Sequence, residues 1–383
     1  MKKIRNKSIF MSIAVFLLAL MVVMACNIPK PQPSETTGEV KETKAEETTP
    51  TTAEETQPVE VKLGSPSVLV EPSVCVVVVV YSGLVYDAYY NTWDGPYETG
   101  GMGSGFAVNP DGYLVTAGHV VEWGEDEVKY ALIDQQVNAF YDTSAWTDDD
   151  WTYVYANFKV EGEGGSKPDR EIYAQFNQAE GGIANIQKWY RAELVDVSPW
   201  EQRDIAVIRI QGKNLPSSLL GNSDDLEVGN QITVIGYPGA ADISDESIMV
   251  PTVTQGIVSA RKMVGGTEVY QVDAAAAPGN SGGPVVNQNG DVVGILTMGS
   301  TEAPGFEFIR PSNDIKQMVN KNGVENKLGW STEEFKAGLI AFYSGDYEAA
   351  IEHFRNILDL FPSHLKAQEY IQKAKEKQLE SEG

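Results

Sequence analysis

Short apolar strands, separated by turn residues, follow one another along residues 67–322. The strands are rich in Val, Ile and Tyr, whereas Gly, Pro, Asn and Asp occupy the turns, for example at 109–112 and 287–290. Many short strands without intervening helices are typical of an all-β barrel or sandwich. We therefore expect a β-rich domain over residues 67–325.

The composition predicts a folded, acidic protein. Hydrophobic residues make up 42% of the chain and charged residues 22%, which is ordinary for a packed domain. The formal net charge of −25 argues against nucleic-acid binding, because phosphate binding requires concentrated Lys and Arg. Two cysteines cannot form a disulfide framework, and Cys75 lies in an apolar run that predicts a buried thiol.

Residues 1–25 have the pattern of a secretory signal, with a basic start, an apolar run at 9–24 and small Ala25 before Cys26. The four residues that end at Cys26 resemble the lipobox of bacterial lipoproteins, which implies lipidation of Cys26 and anchoring at the outer side of the cell membrane. Ordinary cleavage and an uncleaved anchor helix are the alternatives. Residues 26–66 are rich in Thr, Glu and Pro and predict a disordered linker.

Three segments of the β-rich region carry groups suited to nucleophilic catalysis. His119 directly follows a strand, Asp204 stands at the start of another, and Ser281 lies in the glycine-rich segment 277–284. A serine hydroxyl needs a base to take its proton, and the base needs an acid that fixes its tautomer. His, Asp and then Ser is also the chain order of chymotrypsin-like peptidases.

Five sequence blocks, in order, resemble the HtrA/Deg branch of trypsin-like serine peptidases. They are GSGFAVNPDGYLVTAGHVV, RDIAVIRI, VIGYPGA, TVTQGIVSA and DAAAAPGNSGGPVVNQNGDVVGI. The resemblance implies two six-stranded antiparallel β-barrels with the active site between them. It implies that Ser281 is the nucleophile, His119 the general base and Asp204 the orienting acid. It also implies an oxyanion hole formed by the backbone N–H groups of Gly279 and Ser281.

Each triad residue also has a simpler interpretation. His119 would then be a core histidine, Asp204 a strand-capping carboxylate with Asp196 as its rival, and Ser281 part of a glycine-rich turn. The chain has three histidines, and the other two fall in the helical C-terminal segment. A triad within the β-rich domain therefore depends on His119.

The primary specificity pocket is expected around Ala275, six residues before Ser281, as the resemblance implies. Its walls are expected at residues 297–300, which include Thr297, Met298 and Gly299, and at residues 305–308. Ala275 offers no carboxylate to Lys or Arg, so a small or medium apolar side chain is the predicted preference.

The chain departs from the family pattern at residues 122–188, an insertion rich in aromatic residues. A long structureless loop is improbable in a compact domain, so an addition with its own strands is expected. It either packs as a structural addition or forms a lid or substrate-gripping surface. The acidic residues 148–150 favour a solvated turn over a divalent-ion site, and we predict neither a metal nor a cofactor.

Residues 329–383 form the second departure, because they are too few for the PDZ domain that commonly follows an HtrA protease domain. Their pattern resembles one tetratricopeptide repeat, a helical hairpin of about 34 residues, with small Gly338 and Ala350 and an exit at Pro362. A single repeat needs a neighbour to cover it. We expect it to dock on the protease domain, another subunit or a protein partner.

The sequence therefore predicts a membrane-tethered serine endopeptidase that acts on unfolded or damaged extracytoplasmic proteins. The alternatives are a latent protease-fold scaffold that binds a partner through its helices, an enzyme that a partner must activate, and an esterase. By analogy with the family, a homo-oligomer could form through residues 69–80.

Overall fold

The computed structural model describes residues 64–176, 186–239, 250–299, 306–362 and 364–382. The predicted signal segment, Cys26 and nearly all of the linker lie outside these ranges. The described chain forms two β-barrels, a helical addition to the first and a helical C-terminal segment.

The first barrel closes because β1 pairs with strands on both sides. The ring runs β1-β2-β3-β7-β6-β5 and returns to β1, and the short strand β4 adds to the end of β1. Its strands are β1 (Val74–Asp87), β2 (Thr92–Ala107), β3 (Tyr113–Thr116), β4 (Lys159–Glu161), β5 (Asp169–Phe176), β6 (Tyr190–Ser198) and β7 (Ile205–Ile210).

The second barrel is a closed antiparallel ring in the order β8-β9-β10-β13-β12-β11. Its core includes Val234, Val258, Tyr270, Leu296 and Ile309. Its strands are β8 (Gln231–Gly236), β9 (Thr252–Val264), β10 (Thr267–Val272), β11 (Pro284–Val286), β12 (Val292–Gly299) and β13 (Glu307–Pro311). The predicted fold class, two six-stranded antiparallel barrels with C-terminal helices, is confirmed.

The apolar run of β1 is buried on both faces. Val76 and Val78 pack in a core that includes Ile235 of the second barrel, whereas Cys75 and Val77 pack in the core that receives the helical addition. Successive side chains of a strand point to opposite faces, so a strand buried on both sides reads as a continuous apolar run. The prediction of a buried thiol at Cys75 is confirmed, because the residue has no exposed surface.

The addition to the first barrel is mainly helical. It consists of α2 (Glu125–Phe140), α3 (Asp148–Asn157) and the strand β4. The expectation that its own strands would build it was therefore wrong, and β5, inside the predicted insertion 122–188, is a barrel strand. Val128, Leu132 and neighbouring apolar residues lie on one face of α2 at helical spacing and pack into the barrel-side core.

The C-terminal segment contains three helices that pack together. A short helix α1 (Gly118–Val121) follows β3, and α4 (Ser312–Lys321) follows the second barrel. The segment itself is α5 (Trp330–Tyr343), α6 (Tyr347–Leu360) and α7 (Leu365–Glu382), around Phe335, Phe354 and their neighbours.

This segment packs against the protease domain, one of the three docking arrangements expected from the sequence. Val68 joins its core, and the Oγ1 of Thr332 accepts a hydrogen bond from the backbone N–H of Ser217 at 2.9 Å. Lys366 on α7 forms an ion pair with Glu71 at 2.8 Å. None of the helices in the described ranges is both long and apolar enough to cross a membrane.

Candidate active site

His119 is the second residue of the short helix α1, which directly follows β3. The preceding residue must be glycine there, since a Cβ on Gly118 would lie 2.5 Å from the carbonyl oxygen of Ser198 and 3.2 Å from Oδ1 of Asp204. The absence of a side chain at Gly118 therefore lets the Asp204 carboxylate reach the histidine backbone. The side chain of His119 is 33% exposed, so one edge of its ring remains accessible.

Asp204 stands directly before β7 in a left-handed conformation, with φ of 51°. Such a backbone is uncommon for a residue with a side chain and is concentrated at functional sites and turns. Its side chain is 2% exposed, and its carboxylate contacts both the backbone and the ring of His119. Oδ1 accepts a hydrogen bond from the backbone N–H at 2.9 Å, and Oδ2 lies 2.9 Å from Nδ1 of the ring.

This pairing fixes the state of the imidazole. A carboxylate on Nδ1 favours the tautomer in which Nδ1 carries the hydrogen, which leaves Nε2 free to accept a proton. Burial disfavours the charged ring, but the charge of Asp204 and its hydrogen bond outweigh burial. The pKa of His119 is therefore raised above its ordinary value of 6.5.

The rival carboxylate, Asp196, is engaged elsewhere. Its Oδ2 lies 2.8 Å from the ammonium group of Lys321 and accepts a hydrogen bond from the side-chain amide of Asn322 at 2.8 Å. Of the two aspartates considered in the sequence, Asp204 is the one that contacts His119.

Ser281 lies in a tightly turned segment between β10 and β11. Gly279 and Gly282 flank it with φ of 101° and 84°. A Cβ on Gly282 would lie 2.2 Å from the carbonyl oxygen of Ser104, so this turn requires glycine for both conformation and space. The Ser281 hydroxyl donates a long hydrogen bond of 3.5 Å to the carbonyl of Thr297. Within the described residues it makes no hydrogen bond to His119.

Ser104, on β2, connects the serine segment to the first barrel, and sequence reasoning missed it. Its hydroxyl donates to the carbonyl of Gly279 at 2.7 Å and accepts from the N–H of Tyr237 at 2.8 Å. Its backbone N–H donates to the carbonyl of Ser281 at 2.7 Å. The side chain has no exposed surface. The only signal in the sequence is a serine between two glycines, which does not reveal the partners.

The backbone around Gly279 can accept a negatively charged oxygen. The carbonyl of Pro278 accepts a hydrogen bond from the N–H of Gly239 at 2.9 Å. The C=O and N–H of a trans peptide point in opposite directions, so the N–H of Gly279 points away from Gly239. Within the described chain, the N–H groups of Gly279 and Ser281 donate no hydrogen bond.

The residues predicted for the specificity pocket lie at the end of the second barrel that also carries Ser281. Ala275 is exposed, and its carbonyl accepts a hydrogen bond from the hydroxyl of Thr254 at 2.9 Å. Thr297 is buried, and its Oγ1 has no hydrogen-bond partner within the described chain. Met298 and Gly299 end β12. Residues 300 and 305 of the predicted wall lie outside the described residues.

The acidic residues 148–150 form the first turn of α3. The described ranges hold no group of three or more His, Cys, Asp or Glu side chains arranged to hold a metal ion.

Comparisons with known proteins agree on one family. Residues 103–295 match the family model described as a trypsin-like peptidase domain. A "Probable periplasmic serine endoprotease DegP-like" of Pseudomonas savastanoi pv. phaseolicola is 31% identical over 242 residues, covering 61% of this chain and 37% of that protein. The protein of the same description from Halomonas elongata is 32% identical over 243 residues, covering 61% of this chain and 38% of that protein. The matched region thus spans little more than a third of these relatives.

Solved structures of an HtrA-type protease, AlgW, are also similar to the chain. The complex with a decapeptide has a TM-score of 0.42 and 23% identity, and covers 69% of each chain. The complex with a tripeptide has a TM-score of 0.41 and 23% identity, and covers 69% of this chain and 65% of that one.

Proposed function

Because the chain belongs to the family of trypsin-like peptidase domains, we propose that it is an HtrA-type serine endopeptidase. In this proposal Ser281 is the nucleophile, His119 the general base and Asp204 the orienting acid. The observation that carries it is the buried carboxylate of Asp204 held 2.9 Å from Nδ1 of His119. This pairing prepares an imidazole for proton transfer at Nε2.

The proposed reaction is acyl transfer to serine followed by hydrolysis. Nε2 of His119 takes the proton of the Ser281 hydroxyl as Oγ attacks the scissile carbonyl carbon. The resulting oxyanion is received by the N–H groups of Gly279 and Ser281, both unused in the described chain. The C–N bond then breaks, and His119 returns the proton to the leaving amine. Water repeats the sequence on the acyl-enzyme, releasing the acid and restoring the serine.

The proposed location and substrates rest on the relatives and the N-terminal sequence. The relatives are described as periplasmic endoproteases. We place this chain outside the cytoplasm, anchored by a lipid on Cys26 and acting on unfolded or damaged polypeptides. The alanines at 274–277 carry no charge, and these residues by themselves favour a small or medium apolar side chain at the residue whose carbonyl is attacked.

A latent protease-fold scaffold is the second candidate, and two observations favour it. The Ser281 hydroxyl is directed to Thr297 rather than to His119. The helical segment also exposes large apolar side chains, including Trp330, Leu360 and Leu379. Catalytic hydrogen bonds are often long or poorly aligned before substrate binds, so the first observation is compatible with catalysis. Endopeptidase activity therefore remains the primary proposal.

Cleavage of casein by the purified protein tests the proposal. Ser281→Ala should abolish cleavage, whereas Ser144→Ala, which changes an exposed serine in a loop, should leave it unchanged. Cleavage that persists in folded Ser281→Ala protein would overturn the assignment of the nucleophile. A parent protein that is folded but cleaves neither casein nor short peptides would favour the latent scaffold.

A further inference from the structure

Glu307 is a buried carboxylate for which the proposed triad has no use. It is the first residue of β13, and 8% of its surface is exposed. Other buried carboxylates of the described chain have clear partners. Asp87 accepts from Gln136 at 2.9 Å, and Glu71 pairs with Lys366 at 2.8 Å. Glu307 therefore requires a different explanation.

Within the described residues, no group donates a hydrogen bond to the Glu307 carboxylate and no cation pairs with it. Burial alone raises its pKa to about 7. A buried carboxyl group without a partner is costly, and such exceptions call for an explanation in terms of function. The residue is not completely enclosed, since 8% of its surface is exposed.

The strand register directs the Glu307 side chain into the second barrel. On β13 it lies two residues from Ile309, so both side chains share one face, and Ile309 is part of the barrel core. Glu307 also stands opposite Val272, the last residue of β10. Directly opposed side chains lie on the same face of a sheet, and Val272 belongs to the same core. The carboxyl group thus lies at the mouth of the barrel, on its inner side.

This mouth is the end of the barrel that carries the proposed nucleophile. After Val272 the chain passes through buried Ala274 and through Ala276, which packs against the barrel core, before it reaches Ser281. On the other side, Glu307 pairs with Gly299, two residues beyond Thr297, whose carbonyl receives the Ser281 hydroxyl at 3.5 Å. A carboxylate and small alanine side chains therefore share the space beside the catalytic segment.

We infer that Glu307 is a specificity-determining residue that binds the cationic side chain, Arg or Lys, of the substrate residue whose carbonyl Ser281 attacks. This inference rests on the proposed endopeptidase function. The small alanine side chains leave space for a long substrate side chain and offer it no polar group. Glu307 supplies a negative charge, which stabilises a guanidinium or ammonium group in a poorly solvated site. An Arg side chain can also donate two parallel hydrogen bonds to one carboxylate. The preference expected from Ala275 alone is replaced by one for basic residues.

Matched peptide substrates that differ only at this position test the inference. At pH 8.5 the parent should cleave the Arg and Lys peptides with a kcat/KM about 100-fold or more above that of the Val and Ala peptides, since losing a buried polar partnership costs at least this much. Glu307→Gln should remove most of that ratio by slowing cleavage of the Arg and Lys peptides. The control is Glu268→Gln, which changes an exposed carboxylate on the neighbouring strand β10.

Equal cleavage of the Arg and Val peptides by the parent would overturn the inference while leaving the endopeptidase proposal intact. A ratio that survives in Glu307→Gln would overturn it as well.

A binding measurement separates this inference from the catalytic proposal. Benzamidine carries a planar cation and needs no chemistry, so its binding to Ser281→Ala protein can be followed by calorimetry. Binding that weakens at least tenfold in the Ser281→Ala, Glu307→Gln double variant, but not with Glu268→Gln, supports the inference even if no peptide is cleaved. Absence of binding to the folded Ser281→Ala protein, together with no preference for basic peptides, would contradict it.

Discussion

Asp204 determines what His119 can do, because its carboxylate touches both the backbone and the ring of that residue. The left-handed backbone of Asp204, with φ of 51°, and the missing side chain of Gly118 make this double contact possible. The carboxylate is almost fully buried, so water competes little for it. The electrostatic consequence is a raised pKa for His119, which can be measured.

The pH dependence of cleavage should report this raised pKa. His119 must be neutral to accept the serine proton, so kcat/KM for an uncharged peptide should rise with pH through a midpoint above the ordinary value of 6.5. In Asp204→Asn the attraction is lost and the midpoint should move down, while kcat falls by about 10⁴. A midpoint below 6.5 in the parent, or one unchanged in Asp204→Asn, would contradict the proposed pairing.

Ser104 should affect the rate of catalysis, although it does not contact the substrate in the proposed mechanism. Ser104→Ala removes the hydroxyl that donates to the carbonyl of Gly279, so this buried carbonyl loses a partner at a cost of about 1–3 kcal/mol. We expect kcat to fall by about 10- to 100-fold with little change in KM, since the peptide that forms the oxyanion hole would be held less firmly. Ser144→Ala is the matched control, and unchanged kcat in folded Ser104→Ala protein would refute this role.

Sequence reasoning succeeded best for residues whose chemistry is visible in their own type and neighbours. His119 and Asp204, chosen from short blocks, lie together in the structure. Ser104 could not be found in this way, because its importance depends on partners that are distant in sequence. Glu307 was included only as one of the residues 305–308 of the expected pocket wall, and its charge was not singled out. Ser104 contacts Gly279, and Glu307 is unusual because the described residues around it supply no partner for its buried carboxyl group.

Among the structural elements, helix α7 depends on a buried histidine. His364 precedes the helix, and its Nδ1 accepts a hydrogen bond from the backbone N–H of Ala367 at 3.0 Å. Its Nε2 is buried and has no partner within the described chain. A ring in this position must stay neutral, and burial lowers the pKa of His364 to about 4.

Protonation of His364 should therefore favour unfolding. The folded-state pKa of His364 lies below the unfolded value of about 6.5. The contribution of the neutral ring to the free energy of unfolding is therefore complete above pH 6.5 and is lost as the pH falls towards 4. The loss is on the order of 3 kcal/mol. Urea unfolding measures the free energy of unfolding at each pH. Over this range it should fall more steeply for the parent than for His364→Asn, which can still cap the helix. Parallel pH profiles would contradict this prediction.

The helical addition to the first barrel shows why elements were harder to predict than motifs. Strands were expected there because a long structureless loop is improbable in a compact, β-rich domain. In the structure its aromatic rings pack mainly on one another, with Tyr141 against Trp146 and Trp146 against Trp151. The helical spacing of Val128 and Leu132 was the better guide. The packing of one face against the barrel decided the outcome.

Over the whole molecule, the strands and turns marked along the sequence predicted a β-rich domain, and the resemblance to HtrA/Deg peptidases implied its two barrels. The sequence did not decide which of the three expected docking arrangements the helical segment adopts, since Val68 and Glu71, which receive it, lie far away in the chain and carry no distinctive motif. The proposed catalytic groups are divided between the barrels. His119 and Asp204 belong to the first barrel and Ser281 to the second. The proposed catalysis therefore requires the two barrels to keep a fixed position relative to each other.

Chemical labelling with a fluorophosphonate, followed by peptide mapping, tests this central claim most directly. The reagent reports an activated serine without requiring a natural substrate. We predict that Ser281 alone is modified, and that His119→Ala slows the modification by at least 10²-fold because the base that takes the hydroxyl proton is gone. Modification of Ser281 at the same rate in folded His119→Ala protein, or of another serine in its place, would contradict the proposed triad.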